Sequence, residues 1–177
     1  FDLRLVHAAA GDGASLEDTF GAVAGAAAAG LVRAAPDRPG TYAFPHALAR
    51  QAVIAELEPF TLTAAHAAVA RALETGDVRD PERIRALAHH YSMATGLDPD
   101  GRAVRYLQLA AEVASSRLAY SDAAGLLQRA ADLATETPER DRLTLQSAQT
   151  YVRAGRFDRA WPLAEAVATS AAPSTRL

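Results

Sequence analysis

Apolar positions along this chain recur mostly at three- and four-residue intervals, the spacing of one helix face. Phe1, Leu5 and Ala8 or Ala9 share such a face, so 1–10 is predicted to be a short helix, broken by Gly-Asp-Gly at 11–13. Ser15 with Asp18 three residues on is a capping-box variant; the helix it starts is predicted to reach Ala29, with Gly30 as its C′ residue. The period then changes. Residues 31–34 and 41–44 are short β-like runs, with Tyr42 and Phe44 on one face and the turn formers APDRPG between the runs. A helix resumes at Pro45, which suits its first position, and runs to about Leu57 with Leu48, Ala52 and Leu57 at helical spacing.

Beyond Pro59 the helical period does not change again. Thr61 or Thr63 is predicted to cap a helix ending before Gly76. Asp80-Pro81 opens one that reaches about Thr95, and DPDG at 98–101 opens one that reaches about Arg117. Ser121 is predicted to cap the next, to about Ala134. Thr137-Pro138 begins one that runs to Ala154, and Asp158 begins the last, with Pro162 in its first turn. Short turns between helices of this length imply antiparallel neighbours. An internal match supports repeats. Aligning Ala123 with Ala160 places Ala111 on Ala148, Ala114 on Tyr151 and Leu127 on Ala164, an offset of 37 residues against a tetratricopeptide period of about 34. The fold expected is mainly α. A winged-helix-like module with a small β-hairpin spans 1–58, in the order helix, helix, hairpin, helix. An antiparallel, tetratricopeptide-like helical array spans 59–177. Tyr106, Tyr120, Tyr151 and Trp161 are expected to pack between the helices of the array.

Composition sharpens this picture by exclusion. Half of the residues are hydrophobic and only 6% are aromatic. Alanine dominates the apolar half, which favours closely packed helices. All 18 basic residues are arginine, they are scattered, and the net charge is −3, so no basic stripe for nucleic acid is legible. The helix in the recognition slot, LEDTFGAVAGAAAA, carries two acids and no arginine, and is not expected to read DNA. The absence of cysteine removes disulfides and thiolate zinc sites. No apolar run reaches the roughly 18 residues of a membrane span, no signal peptide opens the chain, and a cytoplasmic protein is expected. No nucleophile–base–acid set stands out, so no catalytic residue is assigned. His89 and His90, about 100° apart on a helix, do not form a metal site together. The chain opens in amphipathic rhythm without a methionine and closes just after a helix, so it is expected to be a segment of a longer protein.

One histidine stands apart. His46 lies where the second β-run passes into a helix, and Arg50 follows one turn on. The stretch GLVRAAPDRPGTYAFPHALARQAVIAEL resembles the end of the winged-helix module of STAND ATPases (signal transduction ATPases with numerous domains). It is most similar to the large LuxR-type and related ATP-binding transcriptional regulators of actinobacteria. Gly30-Leu31, Tyr42, Phe44, His46, Leu48 and Arg50 carry the resemblance. His66 with VARALE at 69–74, LAHHY at 87–91 and RLAYSDAAGLLQRA at 117–130 extend it over nearly the whole chain. The family often has paired arginines ahead of the histidine matched by His66; this chain has TLTAAH there.

The resemblance implies that His46 contacts the β-phosphate of ADP and helps hold a closed form, with Arg50 in support or in a surface ion pair. It implies an upstream nucleotide-binding domain as partner, ATP or ADP bound there rather than in this segment, and a DNA-binding helix-turn-helix downstream. A P-loop cannot occur in this chain, because it has no lysine. The segment is expected to be non-catalytic and to couple nucleotide state to oligomerisation, or to a protein or small-molecule effector on the array. Two alternatives are a plain helical-repeat scaffold and the same architecture linked to a cyclase or kinase output.

Overall fold

The computed structural model describes residues 1–11 and 13–171; Asp12, in the predicted Gly-Asp-Gly break, lies outside them. The fold is mainly helical with one two-stranded antiparallel sheet, and the chain divides into two compact units, Phe1–Val78 and Arg79–Leu177.

In the first unit α1 is Leu3–Ala10 and α2 is Leu16–Ala28. Helix α1 starts later than its apolar pattern implied. Asp2 takes extended dihedrals and accepts from Arg4 N at 2.7 Å as N-cap, which leaves Phe1 outside the helix. Phe1 lies instead along the hairpin, stacked on Tyr42 with centroids 6.0 Å apart, and Leu3 N donates to Gly40 O. Helix α2 has the reciprocal capping box of Ser15 and Asp18, and it ends through Gly30 at φ +73°, where Leu31 N reaches back to Ala26 O. Strands β1 (Arg33–Ala34) and β2 (Tyr42–Ala43) are shorter than their sequence runs, pairing Arg33 with Ala43 and Ala34 with Tyr42.

Helix α3 is Ala47–Ala55 and α4 is Pro59–Glu74. Here two boundaries differ from the prediction. Pro45 precedes the helix rather than opening it, because the chain stays extended through His46 (φ −128°, ψ 127°), whose carbonyl starts the first turn. Pro59 is the first residue of α4, so neither Thr61 nor Thr63 caps it; the Thr63 hydroxyl turns back to Pro59 O at 2.9 Å. Helix α4 packs on α1, with Ala67 and Ala70 buried, and belongs with residues 1–78, whereas the sequence reading divided the chain after 58. Leu3, Val23 and Val32 complete this small core.

The second unit is a run of helices, α5 Pro81–Met93, α6 Arg102–Ser116, α7 Tyr120–Leu133, α8 Thr137–Arg153 and α9 Phe157–Ala171, in which each after α5 packs on the one before, with a 3₁₀ turn at Thr95–Leu97. Leu87, Leu107, Leu143 and Ser147 are fully buried, and Tyr91 stacks on Tyr106 with centroids 5.6 Å apart. Alanines fill most of the remaining contact surface: Ala110, Ala111, Ala123, Ala124, Ala130 and Ala131 are all buried.

Three starts differ from prediction here. Ser121 is the second residue of α7, which begins without a side-chain cap, and Ala119 accepts from Ala123 N. Thr137 is already helical, with Glu136 before it. Asp158 lies inside α9 and pairs with Arg156 at 3.0 Å, which holds its carboxyl below the usual range. Pro162 is therefore the sixth residue of α9, beyond the first turn.

The offset of 37 has a backbone counterpart. Helix α6 leaves through Leu118 at φ +62°, with Leu118 N to Ser115 O and Ala119 N to Ala114 O. Helix α8 leaves through Gly155 at φ +71°, with Gly155 N to Val152 O and Arg156 N to Tyr151 O. Each residue in the second set is 37 beyond its counterpart in the first. The two helix pairs are thus equivalent, and one of them tolerates a left-handed leucine where the other has glycine.

Two outcomes follow from these turns and caps. Gly155→Ala places a Cβ in the left-handed region and should lower stability by about 1 kcal/mol, whereas the mostly exposed Leu118→Gly should not destabilise; urea unfolding of the two variants checks both. The hydrogen bonds from the Ser15 hydroxyl and then the Ser15 N–H lower the Asp18 pKa. Asp18 therefore supports α2 fully above the ordinary carboxylate pKa of about 4, and that support fades as pH falls through the lowered folded value. In a carboxyl NMR titration Ser15→Ala should return the Asp18 midpoint toward the ordinary range.

Candidate functional site

The β2–α3 junction places both predicted site residues on one side of one turn. Residues four apart share a helix face, and His46 and Arg50 are both exposed. The hairpin positions this turn: Tyr42 N donates to Phe1 O, Thr41 bridges to Asp2, and Phe1 sits 6.2 Å from Phe44 on the approach to His46. The His46 carbonyl accepts from Ala49 N at 3.1 Å and from Arg50 N at 3.4 Å. That leaves the N–H groups of Ala47 and Leu48 without an intrahelical acceptor. The His46 imidazole makes no cap hydrogen bond, and no acidic residue lies in the first turn. Arg50 joins no ion pair among the described residues. The junction therefore combines two outward backbone donors, an imidazole and a guanidinium, a set able to hold a phosphate-like anion.

The helix behind this turn carries its own anomaly. Not one residue of α3 is buried, and Leu48 is 77% exposed. Val53, Ile54 and Leu57 are also exposed, as is Phe60 at the start of α4. The spacing of Leu48, Ala52 and Leu57 implies an inward face, but all three are exposed. By contrast α2 is anchored on α1 through Thr19. The Thr19 hydroxyl donates to Ser15 O at 3.0 Å, so the His7 ring, 3.2 Å away, donates to Thr19 from Nδ1.

Asp98 accepts from Ala103 N at 2.8 Å and so caps α6 from three residues before Gly101, while Arg102 pairs with Asp100 at 2.7 Å. His89 is exposed, His90 half-buried, and their rings meet edge-on at 5.2 Å. Among the described residues no group of three or more His, Asp or Glu side chains is placed to hold a metal ion. No helix among them is long and apolar enough to cross a membrane.

Of the four aromatic residues expected between helices, Tyr106 and Tyr151 are buried and Tyr120 is half-buried. Trp161 is 75% exposed, contrary to expectation. Its counterpart under the 37-residue offset, Ala124, is fully buried because α8 covers it: Ser147 Oγ donates to Ala124 O at 2.8 Å and Tyr151 packs against Ala124. Among the described residues Trp161 has no such cover. It lines an apolar groove of about 330 Å³ between α8 and α9 with Leu145, Ala148, Val152, Phe157 and Ala160. Sequence reasoning missed this groove, although aligning Trp161 with Ala124 contained the signal.

The Ser147 contact yields a clear expectation. Ser147→Ala removes a fully buried donor whose acceptor lies on the neighbouring helix, and should cost about 1 kcal/mol in chemical denaturation. Comparison of the chain with family models, with curated proteins and with solved structures returns no match.

Proposed function

We propose that this chain is the non-catalytic regulatory arm of a STAND-type, ATP-binding transcriptional regulator of the large LuxR-type kind. In this reading residues 1–58 are a winged-helix-like module, and the following helices are tetratricopeptide-like repeats. The arm couples the nucleotide state of an upstream domain to effector binding or oligomerisation. The observation that carries the proposal is the β2–α3 junction. His46 presents an uncapped imidazole beside two outward N–H groups, with Arg50 one turn on, at the head of a helix that buries nothing in its own unit. An upstream nucleotide-binding domain seated on α3 would cover Leu48, Val53 and Ile54 and bring a bound diphosphate to the junction.

The mechanism is a population shift. ADP bridged to His46 favours the closed state, and an effector on the array favours the open one. Imidazole suits the role because its ring N–H can donate to a phosphate oxygen. A second reading, a helical-repeat scaffold that senses no nucleotide, draws on the apolar α8–α9 groove.

The test is ADP affinity of the longer regulator, upstream domain included, with and without His46→Ala. Loss of a charge-assisted phosphate contact should weaken ADP by about 1–3 kcal/mol. Arg50→Ala should produce a smaller loss in the same direction. Unchanged affinity in a folded His46→Ala protein would refute nucleotide sensing at this junction.

A further inference from the structure

The two equivalent helix pairs are entered through connections of unequal length. Helix α8 follows α7 after residues 134–136, whereas α6 follows α5 after residues 94–101, which include the 3₁₀ turn and Gly101 at φ +65°. The longer connection also forms a wall. With α6 and residues 133–139 it encloses a cleft of about 420 Å³, the size of a small-molecule site. Local insertions in repeat arrays often gather on a binding face. The whole lining lies inside the second unit, between α5 and α8, so the cleft does not depend on what precedes or follows the chain.

Two opposite charges in this cleft lack a protein partner. Asp98 Oδ2 accepts from Ala103 N at 2.8 Å, while Oδ1 is buried and accepts from no donor. Buried carboxylate oxygens are nearly always bonded, so this orphan suits a donor from outside the chain. Arg105 is the second. Its equivalent 37 residues on is Arg142, which reaches Gln108 Oε1 at 3.1 Å, Gln146 Oε1 at 3.5 Å and Glu139 at 3.7 Å. Arg105 joins no ion pair among the described residues; its guanidinium lies over the Tyr106 ring at 5.8 Å, and the residue is exposed. The remaining carboxylates of the lining are matched, Asp100 by Arg102 at 2.7 Å and Glu139 by Arg142.

That pairing selects the ligand. A simple cation leaves Arg105 unmatched, and a simple anion leaves Asp98 Oδ1 unmatched. A zwitterion answers both, because its ammonium donates to Asp98 and its carboxylate accepts from Arg105, each through a charge-assisted hydrogen bond. Gln108 supplies a further donor, since Arg142 holds its Oε1 and leaves its NH₂ group for the same carboxylate. We propose that this cleft binds a small zwitterion of the amino-acid class, with its ammonium on Asp98 and its carboxylate on Arg105. Because Oδ1 is buried, the ammonium reaches it through a shift of the 94–101 connection. The site deepens the reading of the array as an effector surface and rests on that reading only for its regulatory consequence. It makes no use of His46.

Amide NMR of the 177-residue chain tests the proposal. The probes are the common L-amino acids and γ-aminobutyrate, each added singly up to ~10 mM, which reaches weak millimolar binding. At least one should move the amides of 94–101, Ala103 and Arg105 and saturate. Asp98→Asn keeps an oxygen for Ala103 N, and Arg105→Gln changes an exposed side chain, so both should retain the parent circular dichroism. Each should weaken that probe about tenfold or more, as should blocking the probe itself by N-acetylation or by C-amidation. The proposal is overturned if no probe gives a saturable shift, or if the shifts gather away from the cleft. It is equally overturned if a variant or a blocked probe binds as well as the unmodified pair. Such a result leaves ADP sensing at His46 standing, and unchanged ADP affinity in His46→Ala leaves this cleft standing.

Discussion

Ser147 can reach the backbone of the neighbouring helix only because the residue there is alanine. That close approach is the constraint on which the second unit depends. Ala110, Ala111, Ala123, Ala124, Ala130 and Ala131 present little side chain between helices, so the backbones come near and each helix is held along its length by many small contacts. Larger side chains anchor it at intervals: Leu87, Leu107 and Leu143 are fully enclosed, and Ile84, Tyr91, Tyr106, Leu127 and Tyr151 are buried. A structure built this way needs every helix to cover the one before, because no single alanine contact is worth much.

The first unit solves a different problem. Its core is small, a few residues of α1, α2 and α4 around Val32, and its hairpin has only two residues per strand in register. Such a hairpin contributes little by itself. Its backbone is supported by Phe1 and Leu3, and its use is to aim the chain: β2 delivers His46 to the head of α3 in extended conformation, so the first helical turn begins one residue after the histidine and its donors face outward. Helix α3 then runs without a buried residue, which makes the unit well suited to be completed by something else.

Much of the fold was legible in the sequence. The capping box at Ser15, the glycine exit at Gly30, the hairpin, the Asp80-Pro81 start and the glycine exit at Gly155 lie where local chemistry put them, because caps and left-handed turns are decided within a few residues. The misplaced starts share one cause. Thr61, Thr63, Ser121, Thr137 and Asp158 are good cap residues by type, yet each lies inside a helix. Those helices begin earlier, at Pro59, Tyr120, Thr137 and Phe157, and a side chain can cap only if the turn leaves it at the boundary. The site was legible to the same extent. His46 and Arg50 could be placed on one turn from spacing alone, but the bareness of α3 could not, since helical spacing of apolar residues states that a face exists and not that anything lies against it.

The sequence by itself determined the mainly helical class, the order of elements and the 37-residue equivalence of two helix pairs, because helix period, turn residues and positive-φ exits are local properties written residue by residue. Tertiary structure alone decided that α4 packs on α1, that Ala124 is buried while Trp161 is exposed, and that α3 buries none of its residues. Burial is a property of what comes to lie against a side chain, and one apolar residue reads the same in sequence whether a second helix covers it or water does.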